Sequence, residues 1–147
     1  MKKLAGFSLI ELMIGVSIVG ILVALSLPAY HRSIQKANRA DAKVGLTTVA
    51  QRMQRCFSVY NTFQTDEGKC DIKDALAADG VKTDNGFYLI TGTTPDASHF
   101  ELTAVTVQDG EQAKQKDDTL CAKFELDSTG KKKAFNKDGD ETSSDCW

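Results

Sequence analysis

The sequence predicts an α+β fold: a long N-terminal helix, hydrophobic in its front half and amphipathic in its back half, packed on a small antiparallel β-sheet. Three observations predict it. Phe7 to Leu27 is an apolar run broken by one charge, Glu11. Ala29 to Tyr60 carries apolar and charged residues at helical spacing, and the rest of the chain holds short stretches in which apolar and polar residues alternate.

The apolar run sets the frame. At ~1.5 Å per residue its helix would be roughly 31 Å long, about the thickness of a bilayer's hydrocarbon core. A secretory signal peptide would use Lys2 and Lys3 as its basic start. Its apolar region is usually shorter, and a small-residue cleavage site should follow. Pro28, Ala29, Tyr30 and His31 match that poorly. A plain membrane anchor leaves Glu11 unexplained, because a carboxylate in hydrocarbon is costly unless neutralised or paired.

Gly6-Phe7-Ser8-Leu9-Ile10-Glu11, preceded by the short basic leader Lys2-Lys3-Leu4-Ala5-Gly6, resembles the cleavage and methylation site of type IV pilins and type II secretion pseudopilins. The resemblance implies that a prepilin peptidase cuts between Gly6 and Phe7, and that Phe7 becomes an N-methylated N-terminus. It divides the chain into a cleaved leader (1–6), a transmembrane and filament-core helix (7–28), and a globular head with the back half of the helix (29–147). The implied fold is the type IV pilin fold. Glu11 would pair with the Phe7 amine of a neighbouring subunit. Unlike charges attract strongly in a low-dielectric core, and a buried carboxylate without a partner is penalised, so Glu11 can fix the axial register. Pro28 removes one backbone donor and is expected to kink or open the helix, at a place where pilins carry a similar proline.

The 147 residues leave room for one domain beyond the apolar run, and the formal charge of −2 does not suggest wholesale nucleic-acid binding. Cys56, Cys70, Cys121 and Cys146 all follow the run. An even count in an exported domain suggests disulfides, and sequence proximity favours Cys56–Cys70 and Cys121–Cys146 among three pairings. A zinc site is disfavoured, since CxxC and HxxxH spacings are missing. The Cys121–Cys146 loop resembles the C-terminal disulfide-bounded loop of type IV pilins.

The apolar stripe of the back half reads Tyr30, Ile34, Ala37, Val44, Leu46, Val49, Met53, Cys56, Phe57 and Tyr60. Arg32, Lys36, Arg39, Asp41, Lys43, Arg52 and Arg55 read as a solvated opposite face. Ile72–Ala78 looks like a short helix, and Asp79-Gly80 and Asp84-Asn85-Gly86 look like turns. Strands are expected at Gly86–Thr91, Phe100–Thr106 and Leu120–Leu126, with a fourth at Lys131–Phe135. Asp109 to Asp118 reads as a polar loop. Trp147 is expected to tuck against the sheet.

No catalytic constellation is present, so an enzyme is not expected, and neither is a cofactor. His31 and His99 are far apart and read as surface residues, His99 in a turn. The loop Asn136-Lys137-Asp138-Gly139-Asp140-Glu141 resembles part of a calcium-binding loop but lacks the EF-hand spacing, so no metal is expected. Lys131, Lys132 and Lys133 form the one basic cluster. They could contact DNA phosphates with salt-dependent affinity, or simply solubilise a sheet edge, and the second reading is the stronger.

The function implied is that of a structural pilus subunit, a minor pilin that primes or joins assembly and supports adhesion, twitching motility or DNA uptake. The two expected disulfides and the Cys-Trp terminus resemble a group of minor pilins. The rivals are a major pilin, a type II secretion pseudopilin and a DNA-binding competence pilin. Implied partners are other pilin subunits, prepilin peptidase and the inner-membrane assembly machinery, with DNA the weakest. The implied location is the inner membrane, as a single span with a periplasmic head, and then the extracellular pilus.

Overall fold

The computed structural model describes residues 8–108, 115 and 117–147. In chain order it contains α1 (Leu9–Tyr60), α2 (Asp71–Ala78), β1 (Val81–Lys82), β2 (Tyr88–Asp96), β3 (His99–Thr106), β4 (Lys123–Asp127), β5 (Lys132–Phe135) and α3 (Ser143–Cys146). The chain divides into two compact units after Lys36.

In the first unit, α1 is helical from Leu9 and continues through Pro28. Its start follows from the sequence Ser-x-x-Glu. The Ser8 backbone N–H donates to Glu11 Oε2 at 3.0 Å, which is half of a capping box. Ser17 and Ser26 return their hydroxyls to the carbonyls of Met13 and Leu22, so neither leaves a donor unsatisfied on an apolar surface. Large apolar side chains from Leu9 to Leu27 are exposed all round, and the segment is long and apolar enough to cross a membrane.

The second unit is a helix-on-sheet sandwich. The five strands run in the order β1-β2-β3-β4-β5, every neighbouring pair antiparallel. From α1 it buries Ala42, Leu46, Val49 and Met53, spaced four, three and four apart as one helix face requires. Against them lie Tyr88 and Ile90 of β2, Phe100, Leu102 and Ala104 of β3, Phe124 and Leu126 of β4, and Ala134 of β5. These alternate with outward-facing neighbours, the two-residue period of a half-buried sheet. Phe63 extends the core, stacking on Phe57 and meeting Phe100 edge-on at 4.9 Å between ring centroids.

Several expectations shift. Val44 and Tyr60 are exposed and do not belong to the stripe, and Tyr30 and Ile34 are exposed in the first unit. Val44 sits two residues from both Ala42 and Leu46, on the opposite face, and Ala42 takes the buried place. The strand expected from Gly86 begins at Tyr88, because Gly86 holds a positive φ of 73° at the end of a turn. It then runs on to Asp96, with a register irregularity between Thr93 and Asp96. The strand expected from Leu120 begins at Lys123, since Cys121 is committed to a disulfide and its N–H to Asp118. Strand β1 and helix α3 were not anticipated. They are two and four residues long, too short for a periodic signal. His99 opens β3 rather than lying in a turn. Most of the Asp109–Asp118 loop lies outside the described residues.

Candidate functional site

The sequence-predicted residues fall into three groups. Gly6 and Phe7 lie outside the described residues. Glu11 and Pro28 belong to the first unit. The cysteines and lysines belong to the second.

Glu11 lies on the exposed apolar surface, bordering a shallow groove with Leu12, Gly15, Val16, Val19, Gly20 and Val23. Its carboxylate accepts from the Ser8 N–H, so among the described residues this acid on an apolar helix is held by its own helix start.

The cysteines pair as Cys56–Cys70 and Cys121–Cys146. The first bridge ties the end of α1 to the start of α2. The second draws the chain end onto the sheet. There Trp147 meets Phe124 edge-on at 5.6 Å, donates its indole N–H to the Lys133 carbonyl at 2.7 Å, and lies under Lys132 Nζ. The Ala134 N–H donates to Ser143 Oγ, and the Thr142 N–H to the Ala134 carbonyl. The outer edge of β5 is thereby closed by side chains and backbone of the terminal segment.

The lysine cluster does not form one positive surface. Lys132 turns to Trp147, while Lys133 stands opposite Glu125 across the β4–β5 register. Lys131 and Lys133 line an open groove of about 450 Å³ with Glu101, Glu125 and Asp127. Lys123 pairs with Glu125 at 2.8 Å and lies over the Phe135 ring. Carboxylates therefore interleave with these cations. A second cationic surface, missed in the sequence, lies beside the Cys56–Cys70 bridge, where Lys69 is paired with Asp66, and Arg52 and Arg55 carry the charge. Arg52, Arg55 and Lys69 border a hollow of about 260 Å³ with Tyr60, Val59 and Asp71. The signal was Arg52 and Arg55 at a three-residue helical step, but only the bridge brings Lys69 to them.

The Asn136–Glu141 loop is organised by its own side chain. Asn136 Oδ1 accepts from the N–H groups of Asp138 and Asp140, and Asn136 Nδ2 donates to Asp140 Oδ2. Among the described residues no group of three or more His, Cys, Asp or Glu is placed to hold a metal.

Sequence reading also placed Arg39 and Asp41 on a solvated face, yet both are anchors. Arg39 makes a two-pronged bond to Asp118 through Nε at 2.7 Å and Nη2 at 2.9 Å, with side chains only 11% and 2% exposed. Asp118 also accepts from Gln115 Nε2 and the Cys121 N–H. Buried Asp41 accepts from the Thr83 hydroxyl and from Asn85 twice. Neighbouring Tyr88 is fully buried. Burial, then the Asp118 carboxylate, pushes its phenol well above the ordinary value, so it stays protonated. At the β2–β3 turn the Ser98 backbone N–H, then His99, hold the Asp96 carboxyl below its usual range.

The apolar helix with its internal carboxylate and the disulfide-closed helix-on-sheet unit together define a class, the type IV pilins. Residues 1–27 match a model described as prokaryotic N-terminal methylation motif. Residues 28–125 match the family described as type IV minor pilin ComP, DNA uptake sequence receptor, and the chain belongs to that family. The chain is similar to a fimbrial protein of Moraxella nonliquefaciens, 40% identical over 60% of this chain and 53% of that one. It is likewise 38% identical to the type IV major fimbrial protein FimA of Dichelobacter nodosus, over 60% and 52%. The chain spans about half the length of these relatives. Among solved structures it resembles the non-core minor pilin PilV of Neisseria meningitidis, with TM-score 0.53, 18% identity, and coverage of 74% and 93%. At that identity the likeness concerns the fold.

Proposed function

We propose that this minor-pilin-family chain is a structural subunit that primes or joins a type IV pilus after prepilin peptidase cleavage. The observation that carries this reading is the exposed apolar surface from Leu9 to Leu27 with Glu11 set within it. Such a surface needs lipid or other apolar helices around it, and a carboxylate there needs a cation. Cleavage after Gly6 and methylation of Phe7 would supply the neighbour's amine as that cation. Before assembly the chain sits in the inner membrane with its second unit in the periplasm. Afterwards it stands in the extracellular pilus beside other pilin subunits, delivered by the inner-membrane assembly machinery. Pro28 is the place where the helix would loosen in the filament. Glu11→Ala should leave leader processing intact and lower the amount of this protein in sheared pili. Normal recovery of the variant would overturn the register role. Quantifying the protein in sheared pili from wild type and deletion strains tests the minor role, which predicts sparse presence and fewer pili on deletion.

A second reading is favoured by the family description: contact with DNA. The surface that supports it best is the hollow of Arg52 and Arg55 beside Tyr60, which combines cations for phosphates with an exposed ring for stacking. The Lys131–Lys133 cluster supports it less, because Glu101, Glu125 and Asp127 stand among those lysines. A gel-shift titration of the domain from Ala29 onward should give salt-sensitive binding that Arg52→Ala with Arg55→Ala weakens. No binding at low salt would remove this reading for the isolated domain.

A further inference from the structure

The turn Thr83–Gly86, which joins β1 to β2, holds the sequence's one Asn–Gly step, Asn85-Gly86. That step is chemically labile in exposed turns. The Gly86 amide nitrogen, unhindered by a side chain, can attack Asn85 Cγ. A ring C–N bond forms, the side-chain nitrogen leaves as ammonia, and water opens the cyclic imide to aspartate or isoaspartate. No oxidant or further reactant is required.

Here the step is latched. Asn85 is exposed, so water reaches it, but its side chain is not loose. Nδ2 donates to Asp41 Oδ1 at 3.0 Å, and its backbone N–H donates to the same oxygen at 3.2 Å. The attacking nitrogen is also engaged, since the Gly86 N–H donates to the Thr83 carbonyl at 2.8 Å. The Thr83 hydroxyl holds the other oxygen of Asp41. Ring closure therefore requires the turn to lift from α1 first. After conversion, a carboxylate replaces the donating amide and faces the buried Asp41 carboxylate. The bond that closed the latch becomes a repulsion.

We propose that Asn85 is a site of spontaneous deamidation guarded by Asp41, and that its conversion irreversibly unlatches the β1–β2 turn from α1. The test uses the full chain in detergent micelles, aged at mildly alkaline pH and mapped by peptide mass spectrometry with an isoaspartate assay. A peptide of the same local sequence sets the unguarded rate, and Asn61 and Asn136 serve as internal controls. The folded chain should convert at Asn85 more slowly than the peptide. Asp41→Ala should accelerate conversion by roughly tenfold or more, the opening expected from losing hydrogen bonds to a charged group. Equal rates in wild type and variant would overturn the guard, and no conversion at Asn85 in either would overturn the site. Because Asp41→Ala could unfold the chain, Asn85→Asp is measured beside it. It should lower Tm and expose the Lys82–Phe87 segment to protease, and the exchanged pair Asp41→Asn with Asn85→Asp should recover most of the lost Tm. An Asn85→Asp chain as stable as wild type would overturn the unlatching.

Discussion

Arg39, two positions after the start of the second unit at Ala37, shows how a charge can be structural. Arg39 neutralises a carboxylate that four donor atoms surround, from Arg39 itself, Gln115 and Cys121. Arg39→Ala strands Asp118 without its cation and should cost about 3–5 kcal/mol in denaturant unfolding, whereas replacing both partners with apolar residues should cost less. Tyr88 makes the pH prediction. Its phenol is raised in the fold above its unfolded value of about 10, so its contribution is fully present below that pH and lost as pH climbs toward the folded value. Wild type should therefore lose stability above pH about 10 more steeply than Tyr88→Phe, measured as Tm against pH.

At the scale of elements, α1 and the sheet approach closely at one glycine. A Cβ on Gly45 would lie 2.7 Å from Thr83 Cγ2 and 2.9 Å from Ile90 Cδ1. Helix propensity alone favours Gly45→Ala by about 1 kcal/mol, but overpacking costs about 1–3 kcal/mol. The net should be a lower Tm, and a rise in Tm would contradict the close packing. The terminal segment is the second case. Its bonds to Lys133 and Ala134 close the β5 edge, and Cys121–Cys146 keeps it there. Replacing both Cys121 and Cys146 by Ser should cost about 2–4 kcal/mol and expose the last residues to carboxypeptidase. Unchanged resistance to digestion would show that Trp147 alone suffices as a clamp.

At the scale of the molecule, the two units meet different demands. Among its described residues the first buries no large apolar side chain, and those from Leu9 to Leu27 are exposed. On the proposed function, lipid before assembly and other helices afterwards would cover that surface. The second closes on itself through one core, two disulfides and the Arg39 and Asp41 anchors. Substitutions in the first unit should thus change incorporation into pili with little effect on the unfolding of the second, a separation that paired measurements on Glu11→Ala and Arg39→Ala would reveal.

The sequence by itself determined what local chemistry and period can carry. A continuous apolar run with one acid, a two-residue alternation at Phe100–Thr106, and a Ser-to-Glu spacing that starts a helix are all nearest-neighbour facts. So are the Gly6-Phe7 motif and the economy of pairing cysteines near in sequence. Only the tertiary structure decided which charged residues are buried. Arg39 lies 79 positions from Asp118, and Asp41 lies 44 from Asn85. On a helical wheel both look solvated, because burial of a charge depends on a distant loop bringing donors or acceptors to it. The same holds for the lysine cluster, which three consecutive letters suggested as one surface. Strand alternation sent Lys132 to Trp147 and set Lys133 against Glu125, since a strand turns successive side chains to opposite faces.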